Sequence, residues 1–177
     1  IPIGIGMGIN RVARGIFDPP IEFYRPLPPL AYLPLTIIWF GIGELQKLLV
    51  IFIGSVFQIV IMVTVTVGSV RRDLVEAAYT LGATDSSVVR RVLLPSAAPE
   101  IAEILRPALG WAWTYVIVAE LIGSSSGIGH MIVDSQALLA TDQIIFGIIV
   151  IGLIGLASDF AFKAFNKKLF PWAQIGR

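Results

Sequence analysis

Residues 48–70 form a run of 23 residues without one charged side chain. A helix rising 1.5 Å per residue covers about 35 Å over that length, enough to cross the roughly 30 Å hydrocarbon core of a bilayer. The rest of the sequence is nearly as apolar. Hydrophobic residues make up 56% of the 177, charged residues 14%, and the mean hydropathy is +0.84, more apolar surface than one soluble core can hide. The expectation is an all-α polytopic transmembrane bundle, a single membrane domain over 1–177. Runs 107–123 and 144–162 read as further spans, the first interrupted by Glu120 and the second carrying Asp159 near its end. Pro107 suits the first turn of its helix. Residues 26–42 form another apolar segment, whose Pro26, Pro28, Pro29 and Pro34 require neighbours that satisfy the freed carbonyls. Residues 1–9 are apolar but give about 13 Å of helix, so they read as the end of a span that starts upstream.

The basic residues give this bundle a direction. Arg11, Arg14 and Arg25 lie in 10–25, Lys47 in 43–47, five arginines in 71–106, none in 123–143, and three lysines and an arginine in 163–177. Alternating sides collects twelve on one side against Lys47 on the other. The positive-inside rule then places segment 73–95 and the C-terminus in the cytoplasm. A net charge of +1 gives no reason to expect a nucleic-acid partner. With no cysteine and one histidine, His130, the chain has no thiolate metal site and no thiol chemistry. It also lacks a serine–histidine–acid set or a pair of carboxylates at a cleft, so energy for any active process must come from a partner.

Segment 73–95 is the longest polar island. Residues 73–81 are good helix formers, with Leu74, Ala77, Ala78 and Leu81 on one face. Gly82 suits the left-handed position after a helix, Thr84 or Asp85 suits the cap of a second helix, and Pro95 is expected to end it. Ala77, Ala78, Gly82 and Ala83 fall on the outer bend, where small residues admit the backbone of another body. A two-helix elbow between spans reads as a docking piece for a partner's groove. Its bland counterpart is an ordinary capped loop. Arg90 and Arg91 suit a partner, anionic headgroups or solvent equally.

Glu76-Ala77-Ala78, then Gly82, then Val92-Leu93-Leu94-Pro95 after nine residues, resembles the EAA loop of ATP-binding-cassette (ABC) importer permeases, with Val92 where that family usually has isoleucine. Residues 18–44 (DPPIEFYRPLPPLAYLPLTIIWFGIGE) are similar to the taurine, sulfonate and nitrate permease subfamily, most of all to taurine permeases. So are Leu139-Ala140-Thr141-Asp142 and Leu169-Phe170-Pro171-Trp172. The resemblance implies the type I ABC importer permease fold in a bacterial inner membrane, with 73–95 as the cytoplasmic coupling-helix elbow. It implies that Glu76, Ala77, Ala78, Gly82, Ala83, Leu94 and Pro95 engage an ABC ATPase subunit. It further implies two such ATPases that hold ATP and Mg²⁺, a second permease copy as homodimer partner, surrounding lipid, and a periplasmic or lipid-anchored substrate-binding protein. The chain itself would hold no cofactor and carry out no hydrolysis. The implied cargo is taurine or another alkanesulfonate, with nitrate or bicarbonate as alternatives. From another class, an ATP-independent channel or carrier, or an anchoring subunit, would pack the same elbow against its own spans.

Ser55, Gln58 and Glu120 are the candidate pathway or gate residues. Hydroxyls and amides such as Ser55, Gln58, Thr64 and Thr66 more often bond between helices or to their own backbone than line a path. Glu120 suits a structural role in packing or gating as well as substrate contact, and a fixed carboxylate is a poor ligand for an anion. Asp159 suits pairing with a nearby lysine. Trp111, Trp113 and Tyr115 read as packing or interfacial anchors. The glycine-rich 123–129 (GSSSGIG) lacks the lysine of a nucleotide loop and reads as a turn facing a binding protein, with His130 a surface residue beside it.

Overall fold

The computed structural model describes residues 1–123 and 126–174. Every regular element among them is helical. In chain order they are α1 (Pro2–Ile9), α2 (Arg11–Tyr24), a 3-10 turn (Pro29–Tyr32), α3 (Leu33–Phe40), α4 (Glu44–Gly68), α5 (Arg72–Thr80), α6 (Asp85–Val88), a π-turn (Val89–Leu93), α7 (Leu94–Gly123), α8 (Ile128–Ala137), α9 (Thr141–Leu169) and a 3-10 turn (Pro171–Gln174). Two helices among the described residues, α4 and α9, are long and apolar enough to cross a bilayer. They cover the runs expected at 48–70 and 144–162. The rest of the chain leaves α9 almost bare, with Phe146, Leu153 and Phe160 exposed, as a lipid-facing helix requires.

Three sequence expectations are corrected. Segment 26–42 is not one helix: the 3-10 turn and the eight residues of α3 replace it. Together they make one short apolar stretch, Pro29–Phe40, that rises about 20 Å, short of the hydrocarbon core. The prolines explain this, because each removes a donor and Pro28, which precedes Pro29, is held extended at ψ 135°, whereas Arg25 and Leu33 stay helical before Pro26 and Pro34. Pro95 does not end the second helix of the elbow. The π-turn shifts the hydrogen bonding there, so that Leu94 N–H reaches back five residues to Val89 O, and Pro95 falls in the first turn of α7, where no donor is needed. Pro107 likewise starts nothing, since α7 runs unbroken through Pro99 and Pro107. Buried Ala97, Ile101, Ala108 and Ala119 hold that helix in place despite the lost bonds.

The chain divides into two compact units. The first comprises Ile1–Arg25, Phe57–Arg106 and the segment from Ala164 onward; the second comprises Pro26–Val56 and Pro107–Lys163. In the first unit, Val63 and Val67 of α4 pack with Ala97 and Ile101 of α7, flanked by Ile5, Ile59, Val70, Leu93 and Ile104. Here α1 lies hard against α4. A Cβ on Gly4 would stand 2.7 Å from Val60 O, and one on Gly8 2.7 Å from Val67 Cβ. This is the small-xxx-small spacing that lets membrane helices touch backbone to backbone. The Thr64 hydroxyl donates to Val60 O (2.8 Å) and lies 3.2 Å from Gly4 O, bonding both its own helix and its neighbour.

In the second unit Leu33, Val50 and Ala119 form the core, with Ile37 and Val118 around them. The Tyr115 ring closes over Gly54, where a Cβ would lie 2.8 Å from Tyr115 Cε2, so Tyr115 is a packing residue. Among the described residues, every lysine and arginine except Lys47 and Lys163 belongs to the first unit. The second carries Glu44, Glu120, Asp134, Asp142 and Asp159.

Candidate functional site: the exposed elbow

The elbow lies wholly within the first unit. Helix α5 opens with Asp73 in its first turn, where the helix dipole favours an anion. The Arg71 guanidinium grips that carboxylate through two bonds, Nε to Oδ1 at 3.1 Å and Nη2 to Oδ2. The hydrogen bonds from Arg71 hold the Asp73 carboxyl below the usual carboxylate range.

At its C-terminal end α5 closes in a Schellman motif. Gly82 N–H donates to Tyr79 O (2.9 Å) and Ala83 N–H to Ala78 O (3.1 Å), with Gly82 at φ +81°. The left-handed position expected for Gly82 is therefore occupied by Gly82. Thr84 stands at the cap of α6 in an extended conformation, but its side chain makes no capping bond. Asp85 instead accepts a hydrogen bond from Tyr79 Oη at 2.9 Å, a strap across the corner. That bond raises the Tyr79 phenol above its ordinary pKa.

No residue of α5 is buried. Glu76, Ala77 and Gly82 are exposed, while Ala78 and Ala83 are half-buried and joined by the corner's backbone bond. Leu74 and Leu81 are exposed with them, Leu81 at 88%. The apolar face expected on this helix thus exists and is uncovered by the chain's own residues. Underneath, Val88 of α6 is buried and anchors the elbow to its unit. Leu94 and Pro95 stand apart from the bend, at the start of α7, half-buried and exposed respectively. Arg90 and Arg91 are exposed on the π-turn between.

The candidate pathway residues do not gather at the elbow. Ser55, in the second unit, is buried with its Oγ unpartnered, whereas Gln58, in the first, is half-buried. Glu120, in the second unit, has a definite structural partner: its Oε2 accepts Gly129 N–H at 2.9 Å, in the first turn of α8. Cβ atoms on Gly127 and Gly129 would come within 2.5 Å and 2.8 Å of this side chain. Gly127 and Gly129 therefore make room for Glu120, and its charge sits where the dipole of α8 favours it. Ser124 and Ser125, part of the turn expected to face a binding protein, lie outside the described residues. His130 Nε2 lies 3.3 Å from Asp134 Oδ2 on α8.

Sequence reading passed over two features. Gly4 and Gly8 carried a visible signal, their four-residue spacing. Gln46 carried a weaker one, an amide four residues before the buried Val50. It is fully buried, and among the described residues neither Oε1 nor Nε2 has a partner.

Comparison with known proteins places this geometry. Residues 1–171 match the family described as binding-protein-dependent transport system inner membrane component. The chain is 44% identical over 172 residues to the taurine transport system permease protein TauC of Escherichia coli strain K12, covering 97% of this chain and 62% of TauC. It is 36% identical over 170 residues to SsuC of Bacillus subtilis strain 168, named a putative aliphatic sulfonates transport permease protein, covering 96% of this chain and 62% of SsuC. The chain thus spans less than two thirds of the length of these relatives. Its fold matches a chain of the MetNI methionine ABC transporter in an inward-facing crystal form, with a TM-score of 0.72 at 22% identity, over 92% of this chain and 84% of that one. The all-helical fold expected from the resemblance is therefore the observed one. With the family match running from the first residue nearly to the last, the chain belongs to the inner-membrane components of binding-protein-dependent transport systems.

Proposed function

We propose that the chain is part of the permease subunit of an ATP-driven importer for a small anion, and that segment 73–95 is the element through which a cytoplasmic ATPase moves it. The observation that carries this reading is the apolar face of α5, Leu74 to Leu81, which the chain folds toward and then leaves bare. An ATP-independent carrier would instead pack that face against its own spans. In this reading Glu76, Ala77, Ala78, Gly82 and Ala83 seat the bend in the ATPase groove. Leu94 and Pro95 pass its displacement into α7. Two ATPases, a second permease copy and an external binding protein complete the assembly, and ATP and Mg²⁺ are held by the ATPases. The elbow and C-terminus are cytoplasmic, a placement supported by the gathering of basic residues in the first unit. Taurine or another alkanesulfonate is the cargo, supported by the likeness to TauC and SsuC. Ser55 and Gln58 line the pathway, and Glu120 holds the end of α7 to α8 as part of the gate.

The test uses the full-length permease in its native membrane. Substituting Gly82 would confuse docking with backbone strain, because its φ of +81° disfavours any side chain. Ala77→Trp avoids this, since Ala77 is exposed on a regular helix. The expected result is a permease that still inserts but no longer co-purifies with a soluble ATPase or takes up labelled taurine. Undiminished uptake and an ATPase still bound would end the docking reading. Competition by unlabelled nitrate and bicarbonate in the same assay decides among the anions.

A further inference from the structure

Helix α2 (Arg11–Tyr24) runs along the membrane span α4. Gly4 packs on Val63 and Gly8 on Val67, so α1 follows α4 to within one residue of its end at Gly68. The chain turns there, and Asn10 caps α2, its Oδ1 accepting Val12 N–H at 2.8 Å. At the far end of α2, Tyr24 stacks on Phe57 at 5.4 Å between ring centroids. Phe57 stands 13 residues after Glu44 and 11 before Gly68, about 20 Å and about 17 Å along α4. Helix α2 therefore returns from the end of α4 to its middle, and the polar segment 10–25 is no surface loop. Arg25 keeps helical angles, φ −54° and ψ −45°, and its N–H donates to Ile21 O at 2.9 Å. Pro26 and Pro28 prevent a further turn, and Pro28 is extended at ψ 135°. Helices interrupted halfway across a bilayer are where transporters place their binding groups.

The faces of α2 differ in chemistry. Ile21 is buried and, with Tyr24, holds the helix to its unit. Val12, Ile16 and Phe23 fall within about 40° of one another. They are 69%, 63% and 68% exposed, an apolar face suited to lipid. Arg11, Arg14, Asp18, Glu22 and Arg25 fall within about 80° of one another, on a side about 140° from the apolar face. Five charged side chains in line do not face hydrocarbon, so this stripe faces water from the end of α4 to its middle. The Gly15 carbonyl, about 20° from Glu22, loses its helical donor to Pro19 and needs water on the same side. Within the stripe Arg14 pairs with Asp18 at 3.1 Å. Glu22 and Arg25 are exposed, and among the described residues neither has an ion pair. They stand three positions apart on one helix, with Cβ atoms about 5–6 Å from each other. Opposite charges are thus held side by side, in water, at mid-membrane depth. Gln58, next to Phe57 on α4, adds an amide at that level.

We propose that Glu22 and Arg25 form a binding site for a zwitterionic aminosulfonate on its way through the membrane, a site that rests on the importer reading and narrows its cargo. The Arg25 guanidinium offers its planar fork to two sulfonate oxygens, and the Glu22 carboxylate accepts from the ammonium at the other end of a two-carbon chain. Lipid headgroups do not compete, because they lie half a membrane away. Taurine carries both charges, whereas nitrate, bicarbonate and plain alkanesulfonates carry only the negative one.

The test uses the full-length permease assembled with its ATPases, without nucleotide or binding protein, so that cargo can be held only by the permease. Saturation-transfer NMR reads the binding of taurine and of ethanesulfonate, and the unmodified transporter should bind both, taurine more tightly. Arg25→Gln should weaken both ligands about ten-fold or more, and Arg25→Lys, which keeps the charge without the fork, should fall between. Glu22→Gln should weaken taurine about five-fold and ethanesulfonate by less than about two-fold. The sequence contains no cysteine, so single cysteines report directly once the full-length permease is freed of any elsewhere. E22C and R25C should react with a charged, membrane-impermeant thiosulfonate about ten-fold faster than F23C on the lipid face. No binding by the unmodified transporter, unchanged binding in Arg25→Gln, equal losses of both ligands in Glu22→Gln, or labelling no faster at 22 and 25 than at 23 would each overturn the proposal. Uptake of labelled taurine by the complete transporter separates the two failures. Uptake that persists leaves the importer reading standing without this site, and its absence removes both.

Discussion

The corner after α5 and the corner after α8 close with the same pair of backbone bonds around different residues. In the first, Gly82 N–H reaches Tyr79 O and Ala83 N–H reaches Ala78 O; in the second, Leu139 N–H reaches Gln136 O (3.1 Å) and Ala140 N–H reaches Ser135 O (2.9 Å). Both central residues are left-handed, Gly82 at φ +81° and Leu139 at +56°. Glycine adopts that conformation freely, whereas leucine does so at a cost of about 1–2 kcal/mol. The straps differ in the opposite sense. Across the elbow, exposed Tyr79 bonds exposed Asp85, in competition with water. Across the α8–α9 corner, the hydroxyl of Ser135, a fully buried residue, donates to Met131 O at 2.7 Å and lies 2.9 Å from the Gln143 side-chain oxygen. A strained residue persists only where its surroundings over-determine it. The relaxed corner needs little support and has little. The strained corner is held from the buried Ser135, whose hydroxyl bonds Met131 O within α8 and meets the exposed Gln143 of α9 at a part-buried contact.

The largest effect should come from reversing the first corner. Gly82→Val puts a β-branched residue in the left-handed region and should cost about 1–3 kcal/mol locally. Uptake should be lost while membrane insertion survives, and Gly82→Asn should retain most of it; equal losses would mean that space rather than backbone conformation is critical. Next, Ser135→Ala removes the hydroxyl that bonds Met131 O and meets Gln143, an exposed side chain that can turn to water, so the melting temperature in detergent should fall by an amount equivalent to about 0.5–1.5 kcal/mol. A smaller change of opposite sign is expected for Leu139→Gly, which relieves the strain but frees the unfolded chain, for a net gain of no more than about 1 kcal/mol. A fall in melting temperature would show that Leu139 is held by a contact outside the chain.

The smallest effect belongs to the exposed strap. The Tyr79 phenol is raised because its protonated form donates to Asp85. Its contribution is thus fully present below the ordinary tyrosine pKa of about 10 and disappears as pH climbs through the raised value. Tyrosinate absorbance should therefore include a late component from Tyr79, and Asp85→Asn should bring that component back toward the ordinary range. Unchanged titration in that variant would mean that the strap does not form in solution.

Much of this organisation was readable beforehand for local reasons. The uncharged stretch 48–70 has to be a span, because length and apolarity alone decide it. Gly82 marks its corner because only glycine takes a positive φ without strain, and Glu76-Ala77-Ala78 identifies the elbow by spacing. The α8–α9 corner gave no such sign, since leucine is disfavoured in a left-handed turn and its support is a contact between Ser135 and Gln143 that no turn signature marks. Pro95 misled because a proline in isolation reads as a stop. The π-turn before it removes the conflict, and hydrogen-bond shifts of that kind leave no periodic trace.

The sequence by itself determined that this chain is a helical membrane protein, which of its connecting segments are basic, and where its exposed elbow turns. Those properties depend on composition, charge placement and single-residue conformational preference. Only the tertiary structure decided that Gly4 and Gly8 seat α1 on α4, that Glu120 closes on Gly129, that 26–42 breaks into short pieces, and that the apolar faces of α2 and α5 stay bare. Each of these depends on which surfaces meet, and an apolar residue carries the same signal in the sequence whether its partner is another helix, a lipid or another protein.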